Sequence, residues 1–226
     1  EGILEVTIRA AKMLDYPKEK LRIHLLDDGG TDQKINAENP VSAATAKQRR
    51  QDLQALCKRL DITYHTRAKN EFAKAGNVNS AIQNTTGDLI VILDADHVPT
   101  SDFLDRTVPW MLKNEKVFLV QTPHFMANPD PVERNYFSAF TRMPSENDMF
   151  YGTIQKGLDY WGSSFFCGSA ALMRRKHLDL VGGISGDSIT EDAETALDLH
   201  KMGYESVYVD RPMVSGLAPE TFDAFI

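Results

Sequence analysis

Apolar and polar positions follow two periods along this chain. Ile3, Val6, Ala10 and Leu14 recur at helical spacing, so Gly2 to Leu14 predicts an amphipathic helix that Tyr16-Pro17 ends. Leu21 to Leu26 then reads as a buried strand running into Asp27-Asp28-Gly29-Gly30. Ala44 to Leu60 predicts a charged helix with Leu53, Leu56 and Leu60 on one side, followed by a short strand at Ile62 to His65 and a helix over Ala75 to Asn84. The unbroken apolar run Leu89 to Leu93 ends abruptly in Asp94-Ala95-Asp96-His97, as expected of a central strand buried on both faces. A helix from about Ser101 to Asn114, a strand at Val117 to Gln121 and a connection through Pro123, Pro129 and Pro131 follow. Beyond residue 131 the chain becomes more helical and aromatic. An apolar strand is expected near Ser164 to Met173, then a helix at Glu191 to Met202 and a strand at Ser206 to Val209.

Strands that alternate with helices predict an α/β fold with a mixed, mostly parallel sheet covered on both sides. The 226 residues, 42% of them hydrophobic, allow one good-sized domain or two small ones, and one is favoured. A helix leading into such a sheet normally follows an earlier parallel strand, so a strand is expected before residue 1. The net charge of -7, with basic residues scattered, argues against a nucleic-acid partner. An anionic small molecule would need local help from a metal or a lysine. Cys57 and Cys167 match no zinc spacing, which fits a reducing compartment. No apolar run approaches the ~20 residues that span a bilayer, so the piece by itself is expected to be soluble.

Four clusters fall after strands or at helix starts, where chemistry concentrates. Asp94 and Asp96, two residues apart on an extended segment, would point the same way and suit a hard divalent cation. His97 beside them is open to two roles, third ligand or neutral turn residue. Asp27 to Thr31 also suits an ordinary turn. Lys74, ahead of a helix, is placed to meet a phosphate with helix-terminal amides, although most lone lysines are simply solvated. Ser188-Ile189-Thr190-Glu191 has the form of a capping box, and acids suit the positive end of a helix, so Glu191 and Asp192 carry a structural reading beside a catalytic one.

Taken together, Asp27-Asp28-Gly29, Ala73-Lys74-Ala75-Gly76-Asn77, Asp94-Ala95-Asp96-His97, Gln121-Thr122-Pro123-His124, Phe165-Phe166-Cys167-Gly168-Ser169 and Thr190-Glu191-Asp192 resemble the processive inverting glycosyltransferases of the cellulose synthase type, the bacterial catalytic subunits in particular. The motifs keep the family's order and cover nearly the whole chain. The resemblance implies a nucleotide-diphospho-sugar transferase (GT-A, Rossmann-like) fold that moves glucose from UDP-glucose to a growing β-1,4-glucan. By position, Asp27 and Asp28 would contact uridine and Lys74 the diphosphate. Asp94 and Asp96 would hold UDP and Mg²⁺, or Mn²⁺ in its place, with His97 assisting. Asp192 would be the general base, with Glu191 beside it. His124, Phe150, Tyr151, Phe165, Phe166, Cys167, Gly168 and Ser169 would line the acceptor region.

The resemblance also implies a parent in the bacterial inner membrane with this domain on the cytoplasmic face, a periplasmic partner subunit and regulation by cyclic-di-GMP. Phe72 departs from the family, whose members often carry a histidine there. The family continues past the position of Ile226 into a Gln-x-x-Arg-Trp helix, so the chain is expected to be a catalytic-domain piece truncated at both ends and weakly active or inactive alone. Three alternatives stand beside this reading. A chitin- or hyaluronan-type synthase shares the acidic motifs. A haloacid dehalogenase-type phosphohydrolase would use Asp94 as nucleophile. A nucleotide-sugar-binding module would bind without turnover.

Overall fold

The computed structural model describes residues 2–131, 146–186, 188 and 190–225. Part of the expected aromatic, helical stretch beyond residue 131, together with Asp187 and Ile189, lies outside them. Among the described residues the strands are β1 (His24–Leu26), β2 (Thr63–His65), β3 (Leu89–Ile92), β4 (Val98–Pro99), β5 (Val117–Gln121), β6 (His124–Met126), β7 (Ala171–Arg174), β8 (Glu205–Tyr208) and β9 (Val214–Gly216). The chain divides into two compact units, one made of residues 1–15, 89–174 and 199–226, the other of residues 16–88 and 175–198.

The first unit is built on a mixed sheet of order β3-β7-β5-β8. β7 runs antiparallel to both its neighbours, with Ile92 opposite Ala171 and Leu119 opposite Met173, while β5 and β8 are parallel. Three of its four strands therefore share one direction, and β7 alone is reversed. The strand buried throughout is β5, where every residue is inaccessible; β3, expected to be central and covered on both faces, is half-exposed over Leu89 to Val91. The reason is position, because β3 ends this sheet and β5 has a partner on each side. The helix Phe103–Lys113, expected from about Ser101 to Asn114, covers β5 and β7 through an amphipathic stripe that includes Phe103, Leu104, Val108 and Met111. A second sheet, β4-β9-β6, was not anticipated, since strands of two or three residues leave no periodicity to read. The apolar strand expected over Ser164 to Met173 is only β7, and the residues before it are irregular.

The second unit contains a parallel pair, β1 and β2, with Leu26 opposite His65. Beside β2 lies the helix Pro40–Leu60, whose buried Leu53, Leu56, Cys57 and Leu60 form its inner stripe. It begins earlier than the expected Ala44 because the Asn39 side chain accepts from the N–H groups of Val41 and Ser42, and Pro40 supplies a preset first-turn φ. Its end is set by Asp61, in the left-handed region at φ 51°. The helix Ala73–Gln83 starts directly after Phe72, also left-handed at φ 58°.

His24 Nδ1 and His65 Nε2 face each other at 2.9 Å on β1 and β2, so one ring donates and the other accepts while both are neutral. Burial lowers the pKa of each, and for His24 the neighbouring His65 adds to the effect. A group with a folded pKa below its unfolded value binds fewer protons when folded, so its stabilisation is intact above the ordinary value of 6.5 and is lost as pH falls below it. Denaturant melts should show stability decreasing from pH 7.5 to pH 5, with a shallower decrease in His65→Asn. In the first unit, Phe118→Ala should cost about 3–5 kcal/mol in the same assay, because its ring is wholly buried at the centre of the sheet.

Candidate functional site

In the first unit, β3 delivers the chain into a turn at Asp94 to His97, closed by the His97 N–H donating to Asp94 O at 3.0 Å. Asp94 and Asp96 thus stand on a turn and not on the extended segment expected, so strand alternation is not what directs their side chains. The turn is fastened through its backbone. Ser169 Oγ accepts from the Asp94 N–H at 2.9 Å and lies 2.7 Å from His97 Nδ1, and Thr7 Oγ1 donates to Ala95 O at 2.8 Å. Ser169, Thr7 and His97 are buried, whereas the Asp94 side chain keeps 38% of its surface and the Asp96 carboxylate makes only a long 3.4 Å contact with the Leu217 N–H. His97 Nδ1 engages Ser169, and its other side abuts Gly216, where any Cβ would lie 2.6 Å from Nε2. Of the two roles open to His97, this geometry favours the turn residue.

Side chains far apart in sequence converge on the same place. Ring centroids run from His97 to His124 at 4.8 Å, His124 to Tyr151 at 5.0 Å, Tyr151 to Phe150 at 4.9 Å and Phe150 to Phe165 at 6.0 Å. His124 Nε2 lies 3.0 Å from Ser169 O. Phe150 and Tyr151 open a π-helical turn, Phe150–Gln155, a form enriched at functional sites. The Phe165 to Ser169 loop is shaped by Gly168 at φ 79° and held by Gln121, which the sequence reading left without a role. Gln121 is fully buried. Its Nε2 donates to Ser169 O and Thr122 O at 2.9 Å each, and its Oε1 accepts from the Cys167 N–H at 3.0 Å. The available signal was a lone amide closing an otherwise apolar strand. Phe166 is buried, and Gln155 Nε2 contacts Cys167 Sγ at 3.2 Å.

The second unit carries the other candidates. Asp27 is 2% exposed, and its carboxylate accepts from Gly29 N–H at 2.9 Å, Arg49 Nε at 3.0 Å and Tyr64 Oη at 2.9 Å. Burial, then the bond to Asp27, pushes the Tyr64 hydroxyl pKa up. Asp28 is gripped in a two-pronged ion pair by Arg67, Nε to Oδ1 at 2.7 Å and Nη2 to Oδ2 at 2.8 Å. Lys74 is the second residue of the helix that follows left-handed Phe72 and Ala73.

Glu191 and Asp192 open the helix Glu191–Lys201, half-buried, with Asp192 Oδ1 accepting from the Ala193 N–H at 2.8 Å. The reciprocal capping box is not formed as expected. Ser188 Oγ accepts from the Thr190 N–H at 3.1 Å, a local turn that leads into the helix, and Thr195 Oγ1 donates to Glu191 O. A pocket of about 360 Å³ in this unit is lined by Phe72, Asn79, Gly186, Glu194 and Asp198 among others, and includes none of the predicted site residues.

Residues 1–182 match the family model of glycosyl transferase family 2. The chain belongs to glycosyl transferase family 2. Among this family-2 chain's relatives, a cellulose synthase catalytic subunit (UDP-forming) of Pseudomonas fluorescens (strain SBW25) is 42% identical over 225 residues, which is 100% of the chain and 28% of that protein. "Cellulose synthase 1" of Komagataeibacter xylinus is 41% identical over 219 residues, 97% of the chain and 13% of the relative. The chain therefore spans little more than a quarter of the first of these. Of solved structures, the mannosyltransferase PcManGT from Pyrobaculum calidifontis, in complex with GDP-Man and Mn²⁺, matches 98% of the chain and 55% of its own length at TM-score 0.64 and 22% identity. TarS of S. aureus with UDP-GlcNAc matches 98% of the chain and 56% of its own length at TM-score 0.61 and 12% identity. Those likenesses carry the fold alone, the GT-A fold expected from sequence. The phosphohydrolase alternative yields to the family match, which includes the Asp94 to Val98 segment.

Among the described residues no three His, Cys, Asp or Glu side chains converge as a metal cage. A family-2 donor site does not need one, because Mg²⁺ is commonly held by one or two carboxylates and completed by phosphate oxygens and water. The half-exposed carboxylates of Asp94 and Asp96 fit that mode. Gln121→Leu should destabilise the family-2 chain by about 1–3 kcal/mol in urea melts, because it strands the Cys167 N–H and takes a donor from Thr122 O and Ser169 O.

Proposed function

We propose that the protein carrying this chain transfers glucose from UDP-glucose to the non-reducing end of a growing β-1,4-glucan, with inversion and with a divalent ion, Mg²⁺ or Mn²⁺. The observation that carries this reading is the identity with a cellulose synthase catalytic subunit across the whole chain, joined to the acidic turn and aromatic cluster of the first unit.

Asp94 and Asp96 hold the ion, which when bound offsets the negative charge developing on the departing diphosphate. Lys74 adds positive charge toward the same diphosphate. Asp28 meets the uridine, while Asp27, turned inward onto Arg49 and Tyr64, shapes the wall behind it. His97 steadies the Asp94 turn. The acceptor hydroxyl attacks the anomeric carbon as its bond to the phosphate oxygen breaks and UDP leaves with the electron pair; the hydroxyl proton passes to the Asp192 carboxylate, with Glu191 beside it. General-base help of this kind contributes about 10²–10⁴-fold. Phe150, Tyr151, Phe165 and His124 offer ring faces to the apolar C–H surfaces of a pyranose, and Phe166, Cys167, Gly168 and Ser169 shape the loop that carries them. Anchorage of the parent in the inner membrane, a periplasmic partner subunit and cyclic-di-GMP control are part of the same proposal; no described helix is long and apolar enough to cross a membrane.

In the intact parent, Asp192→Asn should reduce polymer synthesis by about 10²-fold or more while UDP binding persists. Near-normal synthesis by that variant removes the base role, and binding without any turnover in the unaltered parent returns the binding-module alternative. Asp94→Asn and Asp96→Asn should each abolish the metal-dependent part of UDP affinity in calorimetry. Linkage analysis of the product tests the sugar, and N-acetylglucosamine in the polymer would replace glucose with the chitin- or hyaluronan-type reading.

A further inference from the structure

Arg67 makes five hydrogen bonds to described residues, and nothing in the motif series assigns it a task. Its guanidinium grips Asp28 through Nε and Nη2, Nη2 shares its second N–H between Asn70 Oδ1 at 2.8 Å and Ala73 O at 2.7 Å, and Nη1 donates to Glu71 O. Only 12% of the side chain is exposed, against 22% for Asp28. The loop it holds is bent into an uncommon shape, with two successive non-glycine residues, Phe72 and Ala73, at φ 58° and 40° immediately before Lys74. Each costs free energy relative to glycine, so the surrounding contacts must impose the shape. Gly76 makes room for it, since a Cβ there would collide with Glu71 O and Arg67 Nη1.

We infer that Arg67 is a positioning residue for the donor nucleotide, one rigid fork that sets Asp28 and the Lys74 loop in a fixed relation to each other. This rests on the proposed donor roles of Asp28 and Lys74. Arginine is required because a planar five-donor group satisfies a carboxylate with two parallel bonds while still reaching three further oxygens. Lysine, a single point charge, matches the charge but cannot hold both ends. The left-handed loop would then relax, and Lys74 would leave the position that meets a diphosphate.

The test is UDP affinity with Mg²⁺, measured by calorimetry on the intact parent protein, with the thermal midpoint as a control for folding. Arg67→Lys should weaken UDP by about tenfold, a change of ~1.4 kcal/mol, with little change in thermal midpoint. Adding Phe72→Gly should recover most of that loss, because glycine adopts the left-handed conformation without the fork's help. A merely structural arginine gives no such rescue. Unchanged UDP affinity in Arg67→Lys, or a loss that Phe72→Gly leaves untouched, overturns the inference while leaving the donor-site reading intact; absence of UDP binding in the unaltered parent overturns both. Should Arg67→Lys not fold, Asn70→Ala decides instead. It removes one loop acceptor without touching Asp28, so a few-fold weakening of UDP supports the inference and no change overturns it.

Discussion

A carboxylate that serves chemistry must be fixed at its backbone while its oxygens stay wet, and in the first unit the hydroxyl of Ser169 meets that constraint. It takes the Asp94 N–H on one side and His97 Nδ1 on the other, inside a fully buried environment where a lost partner is expensive. The main chain of the acidic turn is thereby immobilised from within, while the Asp94 side chain keeps 38% of its surface exposed. His97 belongs to the same grip. Its engagement with Ser169 and its close fit over Gly216 explain why a histidine and a glycine stand there without invoking coordination.

The position of Ser169 depends in turn on the most buried strand. β5 is apolar up to Gln121, and that amide bonds to both ends of the Cys167 to Ser169 stretch, so packing of the sheet is transmitted into loop geometry through two hydrogen bonds. The rings of His124, Tyr151, Phe150 and Phe165 are assembled around that loop by edge and tilted contacts. The acceptor-binding role proposed for these rings would gain from this arrangement, because rigid rings lose little entropy when a sugar covers them.

In the second unit the same division of labour uses charge instead of hydroxyl chemistry. Asp27 is consumed by its neighbours and Asp28 by a single arginine, so the pair that looks equivalent in sequence has one buried member and one at an accessible edge. Arg49 and Arg67 come from different elements, a long helix and the loop after β2, which is why a motif scan centred on the acids does not reveal them.

The sequence by itself determined what local rules control: the existence of the main helices, the Leu53, Leu56 and Leu60 stripe of the long helix, the apolar strand that leads into Asp94 to His97 and, through the ordered series of motifs, membership of the glycosyltransferase family. It placed the first helix but not its inner face, which is Thr7, Ile8 and Ala11 and leaves Ile3 and Val6 exposed. Apolar period and turn chemistry act between near neighbours, and they are legible for that reason. Only the tertiary structure decided that β5 and not β3 is the wholly buried strand, that Asp94 and Asp96 stand on a turn, and that Gln121, Ser169 and Arg67 hold the site residues. Each of these depends on strand order or on hydrogen bonds between residues tens of positions apart, and a buried polar group takes whichever partner folding brings to it. No one-dimensional pattern encodes that choice.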